Sequence, residues 1–367
     1  MKRLFLIAFS LCALVIIQSA DAQQNKYKRR KKTNKKISKY RGSTTGFGRF
    51  SPYWFVGVNA NAANYFGDLA PVSRAASTDI SFTRPGFGIH GGYKFQHSLA
   101  VRGSFDWYRI RGDDFSADPG EQPGAARYGR NLSFRNDIKE FRLGLEIYLL
   151  PNYGNVNSRL PLNAYLFLGG AVFLHDPQGL VPDADYQTAL DGSVSVPKAG
   201  EWVRLRPLGT EGQNQGRGES YSRVSYSIPV ALGGKLRLPG LPLDVGLEFG
   251  IRYLFTDFID DVSGDYVDLA SFDADGDGNY SQQELLARIM SDRSTVPVSS
   301  TGDTRDQSAL GNIVQSPSSG FFINGSNGTG LDGSVRGNPD DNDFIFVTQL
   351  KLTYLIGQKY RRRAKFR

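Results

Sequence analysis

Eight stretches of this chain alternate apolar and polar residues with a period of two, and several carry ions on the polar side. That combination constrains the fold more than any other feature, because period-two alternation marks strands with one apolar face. The first stretch is Tyr53 to Asn61, with Trp54, Val56, Val58 and Ala60 on one side. In the second, Phe87, Ile89, Gly91, Tyr93 and Phe95 alternate with Gly88, His90, Gly92 and Lys94. The third sets Leu99, Val101, Gly103, Phe105 and Trp107 against Arg102, Ser104 and Asp106; the fourth sets Phe141 to Leu149 against Glu140, Arg142, Gly144, Glu146 and Tyr148. Stretches five and six run from Ala164 to Leu174 and from about Tyr226 to Leu236. The seventh opposes Leu243, Val245, Leu247, Phe249 and Ile251 to Asp244, Glu248 and Arg252, and the last opposes Phe344 to Ile356 to Gln349, Lys351 and Thr353.

A sandwich core would have to bury those ions against an apolar layer, which is costly unless each is paired. A barrel places them in its lumen, where carboxylates such as Asp106, Glu140, Glu146 and Glu248 can meet Arg102, Arg142, Lys235, Arg252 and Lys351. Connection lengths agree. Short links at Gln96-His97-Ser98, Pro151 to Pro161 and Leu238 to Pro242 alternate with long ones near 70–83, 112–131, 176–220 and 257–343, as short periplasmic turns alternate with long external loops in outer-membrane barrels. The expectation is an all-β chain, an eight-stranded antiparallel transmembrane β-barrel with long extracellular loops, its lumen filled by its own side chains. Abundant glycine and aromatics (42 Gly, 24 Phe, 18 Tyr) beside a negative mean hydropathy suit strands whose every second residue faces a polar interior.

The ends fit secretion. Lys2 and Arg3, an apolar run from Leu4 to Ile17 and Ala20-Asp21-Ala22 read as a signal peptide over residues 1–22, since the run falls short of the about 20 apolar residues of a spanning helix. The one cysteine, Cys12, would leave with it. Residues 23–50 form a basic N-terminal tail, 51–357 the barrel, and 358–367 a basic C-terminal tail. Lys26 to Arg41 carries ten basic and no acidic residues and Lys359 to Arg367 six basic, so the net +8 lies in the tails and the body is acidic. With both termini on the short-turn side, the tails are expected in the periplasm of a protein of the cell outer membrane. Nucleic acid is not an expected partner of a secreted chain; outer-membrane lipids are.

Six phrases carry a family resemblance: NYFGDLAP (Asn64 to Pro71), RPGFGIHGGYKF (Arg84 to Phe95), NLSFRNDIKEF (Asn131 to Phe141), RPLGTEGQ (Arg206 to Gln213), TDFIDDVSGDY (Thr256 to Tyr266) and SVRGNPDDNDFIF (Ser334 to Phe346). As a set, in this order, they resemble the PorG-like outer-membrane barrels associated with the type IX secretion system of Bacteroidota. The resemblance implies a barrel that docks on periplasmic ring subunits of that system, with the basic tails as electrostatic docking surfaces. A stand-alone surface barrel serving adhesion or envelope integrity is the alternative.

One motif carries sharp chemistry. Residues 273–284 read DADGDGNYSQQE, a full match to the calcium loop of an EF-hand. Ca2+ takes 6 to 8 oxygens. Asp273, Asp275 and Asp277 would give carboxylates, Asn279 its carbonyl, Ser281 a water and Glu284 a bidentate carboxylate, while Gly278 permits the turn. A helix from Gln282 to Met290 should come after it, with Leu285, Leu286 and Ile289 on one side; Val267 to Phe272 allows one turn before it. A lone hand should bind weakly, on the order of 10⁻⁴ to 10⁻³ M, and order the last long loop. Catalysis would need a nucleophile beside a base. His90 is expected in the lumen, His97 in a short turn and His175 at the outer end of strand five, and no phosphate loop, zinc spacing or nucleophile elbow is present. The expectation is a non-enzymatic protein.

Overall fold

The computed structural model describes residues 52–69, 84–117, 124–152, 156, 159–183, 185–188, 192–217, 220–294, 296–299, 302–305, 333–339 and 343–356. The signal sequence, both basic tails and the loop segments 70–83 and 306–332 lie outside them.

Eight long strands close into a barrel. These are β1 (Tyr53–Phe66), β2 (Arg84–Lys94), β3 (Leu99–Asp113), β4 (Ser133–Tyr148), β5 (Leu162–Leu174), β10 (Val224–Arg237), β11 (Leu243–Leu254) and β12 (Phe344–Ile356). Each pairs antiparallel with its neighbours, β5 meets β10 directly, and β12 returns to β1 through Trp54↔Ile356 down to Phe66↔Phe344. The eight stretches expected from alternation are these eight strands. Their extents differ: β1 runs on to Phe66, β3 to Asp113, and β4 begins at Ser133 instead of near Glu140. In the β3 and β4 extensions the outward residues are polar, as at Arg109, Arg111, Arg135 and Asp137, so the apolar face that signals a strand is missing although the ladder continues. The loop between β5 and β10 also holds four short strands, β6 (Gln178–Leu180), β7 (Tyr186–Thr188), β8 (Gly192–Val194) and β9 (Trp202–Arg204). Through them β4 extends sideways into β6 and β9.

Alternation sorts the side chains. Trp54, Val58, Phe87, Ile89, Phe141, Leu143, Leu145, Leu232, Phe249 and Leu350 point outward and exposed, a lipid-facing belt. The inward face is ionic. Arg102 bonds Glu146 at 2.5 Å and Glu248 at 2.8 Å. Lys235 bonds Glu146 at 2.6 Å and Tyr148 Oη at 2.8 Å. Glu248 also accepts from Tyr165 at 2.6 Å and from Lys351. Higher in the lumen Arg142 reaches Asp106 at 2.7 Å, Arg252 approaches Glu140 at 3.4 Å, and Asn59, Asn61 and Gln349 donate to Asp106. The expected paired ions are therefore present and fill the interior. Small residues make the room: a Cβ on Gly57 would stand 2.6 Å from the His90 ring, and one on Gly233 2.3 Å from the Tyr165 ring. Among the described residues no helix is long and apolar enough to span a membrane; the strands do it.

Breaking this network should cost more than altering the belt. Glu248→Ala leaves the buried Arg102 and Lys351 short of a charge partner, so a loss of about 3–5 kcal/mol is expected. Leu145→Arg, near the middle of the outward face of β4, should cost about 2–4 kcal/mol. Denaturant unfolding of the barrel in liposomes, monitored by the gel shift of unheated samples, measures both.

Candidate functional site

At the short-turn end β1 begins and β12 ends. At the other end the long loops build a cap with its own apolar cluster, in which Val181, Val203, Leu205 and Leu208 pack with Val267, Phe272, Leu286, Ile289 and Met290. Two helices belong to these loops, the short α1 (Gly124–Arg130) and α2 (Gln282–Ser291). Two polar sites sit in the cap.

The first is the acidic loop. A 3₁₀ turn, Leu269–Phe272, leads into it and α2 leaves it. Ser281 caps α2 and Glu284 answers it, a capping box that fixes where the helix starts. Leu286 and Ile289 are buried in the cap's apolar cluster and Leu285 packs against it, the side expected from the sequence. Gly276 and Gly278 take positive φ of 69° and 78°, conformations that favour glycine. Carboxylate oxygens of Asp273, Asp275 and Asp277 lie within 4.8 Å of one another. Oxygens on opposite sides of a calcium ion stand about 5 Å apart, given bonds of 2.3–2.6 Å, so this spacing fits the ion. Asp273 accepts from Gly276 N at 3.0 Å and Gly278 N at 2.8 Å, and the Gly278 bond leads the effects that hold its carboxyl below the usual range. The Asp275 carboxyl is pushed up, first by its hydrogen bond with Asp273. Asn279 N donates to Asp277 at 2.6 Å. Glu284 is held by Ser281 N at 2.8 Å and Ala274 N at 3.2 Å, and would exchange these for the ion.

The second site escaped sequence reasoning. It gathers residues from five of the six phrases that carry the resemblance. Buried Arg336 donates to Glu211 at 2.7 Å and to the Asp261 carbonyl, while Ser263 N and Gly264 N also donate to Glu211. Asp261 accepts from Thr210 and, at 2.6 Å, from Tyr221. Asn136 Nδ2 holds the Ile259 carbonyl at 2.7 Å. Next to them Tyr65 Oη stands 2.6 Å from Asp260 and 2.7 Å from Asp343. A phenol has one proton to give, so two such contacts require a second proton on one carboxyl. Burial, then neighbouring carboxylates, push Asp260 and Asp343 well above the ordinary carboxyl range. Burial also lifts Asp261 to about 6 against the pull of Arg336, whose guanidinium stands 3.9 Å away. Ser291, the last residue of α2, donates to the Thr210 carbonyl. The acidic loop and this junction are thus mechanically joined.

The histidines lie where expected. His90 is in the lumen, Nε2 3.0 Å from Thr353 Oγ1 and Nδ1 3.3 Å from Asn59 Oδ1. That order resembles a nucleophile, base and orienter, yet Thr353 is 2% exposed in a filled interior, so no substrate reaches it. His97 lies in the turn between β2 and β3, where its carbonyl accepts from Asn152 N. His175 comes directly after β5, its ring stacked on Tyr221.

Residues 53–201 match a family model described as a domain of unknown function (DUF6089), a stretch that includes β1 to β5. No protein of curated function matches the sequence. Among solved structures the chain is similar to Ail, the attachment invasion locus protein of Yersinia pestis, at 8% identity, covering 83% of this chain and 97% of that one with a TM-score of 0.31. It is likewise similar to Neisserial surface protein A (10%, 83% and 98%, TM-score 0.30) and to CarO2 of Acinetobacter baumannii (8%, 82% and 99%, TM-score 0.23).

The junction has a pH signature. A carboxyl raised in the folded state favours folding while protonated, so the contribution of Asp261 is present below about pH 4 and is lost as pH rises to about 6. Two pH units correspond to about 3 kcal/mol. Protection factors of the loop amides, corrected for the intrinsic pH dependence of exchange, should therefore be higher at pH 4 than at pH 7, and Asp261→Asn should reduce the difference.

Proposed function

We propose that this chain is a non-enzymatic outer-membrane barrel acting as a structural or accessory component of the type IX protein secretion machinery, with external loops braced by calcium. The observation that carries the reading is the division of the molecule into a plugged, lipid-belted wall and a built loop cap. A lumen filled by ion pairs leaves, among the described residues, no channel and no reachable nucleophile, so the working surfaces are the cap and the chain ends. That five of the resembling phrases converge on one junction supports a shared architecture with the secretion-associated barrels. The short-turn end, with the basic tails, faces the periplasm in this reading. Lys26 to Arg41 and Lys359 to Arg367 would then meet acidic ring subunits or lipid headgroups of the inner leaflet.

Recovery of the tagged protein from mild-detergent outer membranes, with and without these tails, tests the assignment. Ring subunits should copurify with the intact chain and be lost with the tails. If neither form brings any, the better reading becomes a stand-alone surface barrel for adhesion or envelope integrity.

Calcium would be held by Asp273, Asp275, Asp277, the Asn279 carbonyl and Glu284, with a water on Ser281. Binding offsets two of the four negative charges gathered there, and ties the acidic loop to the start of α2. Calorimetric titration of the folded protein should give a dissociation constant on the order of 10⁻⁴ to 10⁻³ M. Asp275→Asn with Glu284→Gln should abolish the signal, and a wild-type chain that takes up no calcium removes this part of the reading.

A further inference from the structure

The outward wall is not uniform near the long-loop end. On β10, β5, β11, β12 and the end of β1 it stays apolar to the strand tips, with Val224, Tyr226, Leu174, Tyr253 and the stacked Phe66 and Phe344. On β3 and β4 it turns basic. Phe87 and Trp107, directly opposite on β2 and β3 with rings 5.2 Å apart, mark the aromatic girdle there. Lys139 is level with Trp107. One rung higher, Arg109 forms a two-pronged pair with Asp137 at 2.6 and 2.8 Å.

The next rung is an arginine row. Arg111 is opposite Arg135, Arg135 opposite Gln178, and Gln178 opposite Arg204, across β3, β4, β6 and β9. Arg135 also lies 4.1 Å above the Trp202 ring and bonds Gln178 at 3.0 Å. Arg84 adds charge within electrostatic reach of Arg109 and Arg111. Carboxylates beside the row are few among the described residues: Asp113 stands 3.5 Å from Arg111, and Asp176 is shared between Arg204 and Arg223. Like charges directly opposite on a sheet are destabilising, and a row of them invites an anion. Arginine forks match phosphate oxygens.

We propose that this row binds the phosphorylated saccharide headgroup of a glycolipid in the outer leaflet, an inference that rests on the outer-membrane reading above, with the long loops outside. Two dimensions select that class over a glycerophospholipid. From Trp107 to Arg111 is four residues, about 13 Å along the strand and about 10 Å along the membrane normal at a strand tilt of about 35–45°, whereas the headgroup zone of a phospholipid leaflet extends only about 5–8 Å beyond the acyl boundary. From β3 to β9 is three strand spacings, about 14 Å, wide enough for a headgroup bearing two phosphates and too wide for one. The apolar belt directly below accommodates the acyl chains.

Native mass spectrometry of the full chain, folded in detergent micelles with bisphosphorylated lipid A, its dephosphorylated form or phosphatidylglycerol, tests the proposal. Wild type should retain lipid A and discriminate against the other two. Arg111→Gln with Arg135→Gln and Arg204→Gln should lower retention about tenfold, with both tails intact. Arg204→Gln alone, at an exposed position, should lower it severalfold and guards against misfolding of the triple variant. Equal retention by wild type and Arg204→Gln, or a preference for phosphatidylglycerol, overturns the assignment while leaving the barrel reading in place. A wild-type chain that fails to insert into liposomes sinks the membrane reading and the proposal together.

Discussion

A closed ring of eight strands is only as stable as the contents of its interior, and here the contents are ions. Arg102 and Glu248 sit at the centre, reached from three strands by Glu146, Arg142, Tyr165 and Lys351, with Lys235 of a fourth strand on Glu146. Each charge is desolvated, so each depends on its neighbours being in place. The network is therefore an all-or-none specification of register: slide one strand by a single residue and its ion faces lipid while a leucine faces the ions. The outward belt tolerates substitution by comparison, because any apolar side chain satisfies the bilayer.

Above the wall, the cap uses a different device. Its residues come from loops far apart in the sequence, and its polar centre is acidic, with Arg336 the cation bonded to Glu211 and Asp261. Protons on Asp260, Asp261 or Asp343 relieve what cations do not. The end of α2 plugs into that centre through Ser291, so order in the acidic loop at Asp273 to Glu284 is transmitted to the rim of the barrel instead of remaining a local matter.

The barrel was legible because alternation is a local signal: the partners of Leu143 in sequence announce its strand whatever it pairs with. Ion placement came from parity alone, which is why Asp106, Glu146 and Lys351 could be put in the lumen before any contact was known. The calcium-type loop and its helix were equally local, down to Leu286 and Ile289. What could not be read were the strand extensions around Arg109 and Arg135, where the outward residues are polar, and the cap. No spacing rule connects Glu211 to Arg336 or Tyr65 to Asp343, since those contacts exist only once the ring has brought the loops together. The phrases holding them stood out as sequence, without a visible chemical purpose.

The pairing of β1 with β12 joins residues almost 300 positions apart, and Gln349 on β12 bonds Asn61 on β1 and Asp106 on β3. Until the last strand arrives, Asp106 lacks Gln349 and Glu248 lacks Lys351, so a half-made sheet presents a charged furrow. Carrying unpaired charge into hydrocarbon is costly. The pairing of β12 with β1 is thus what both closes the ring and completes the charge balance of the lumen.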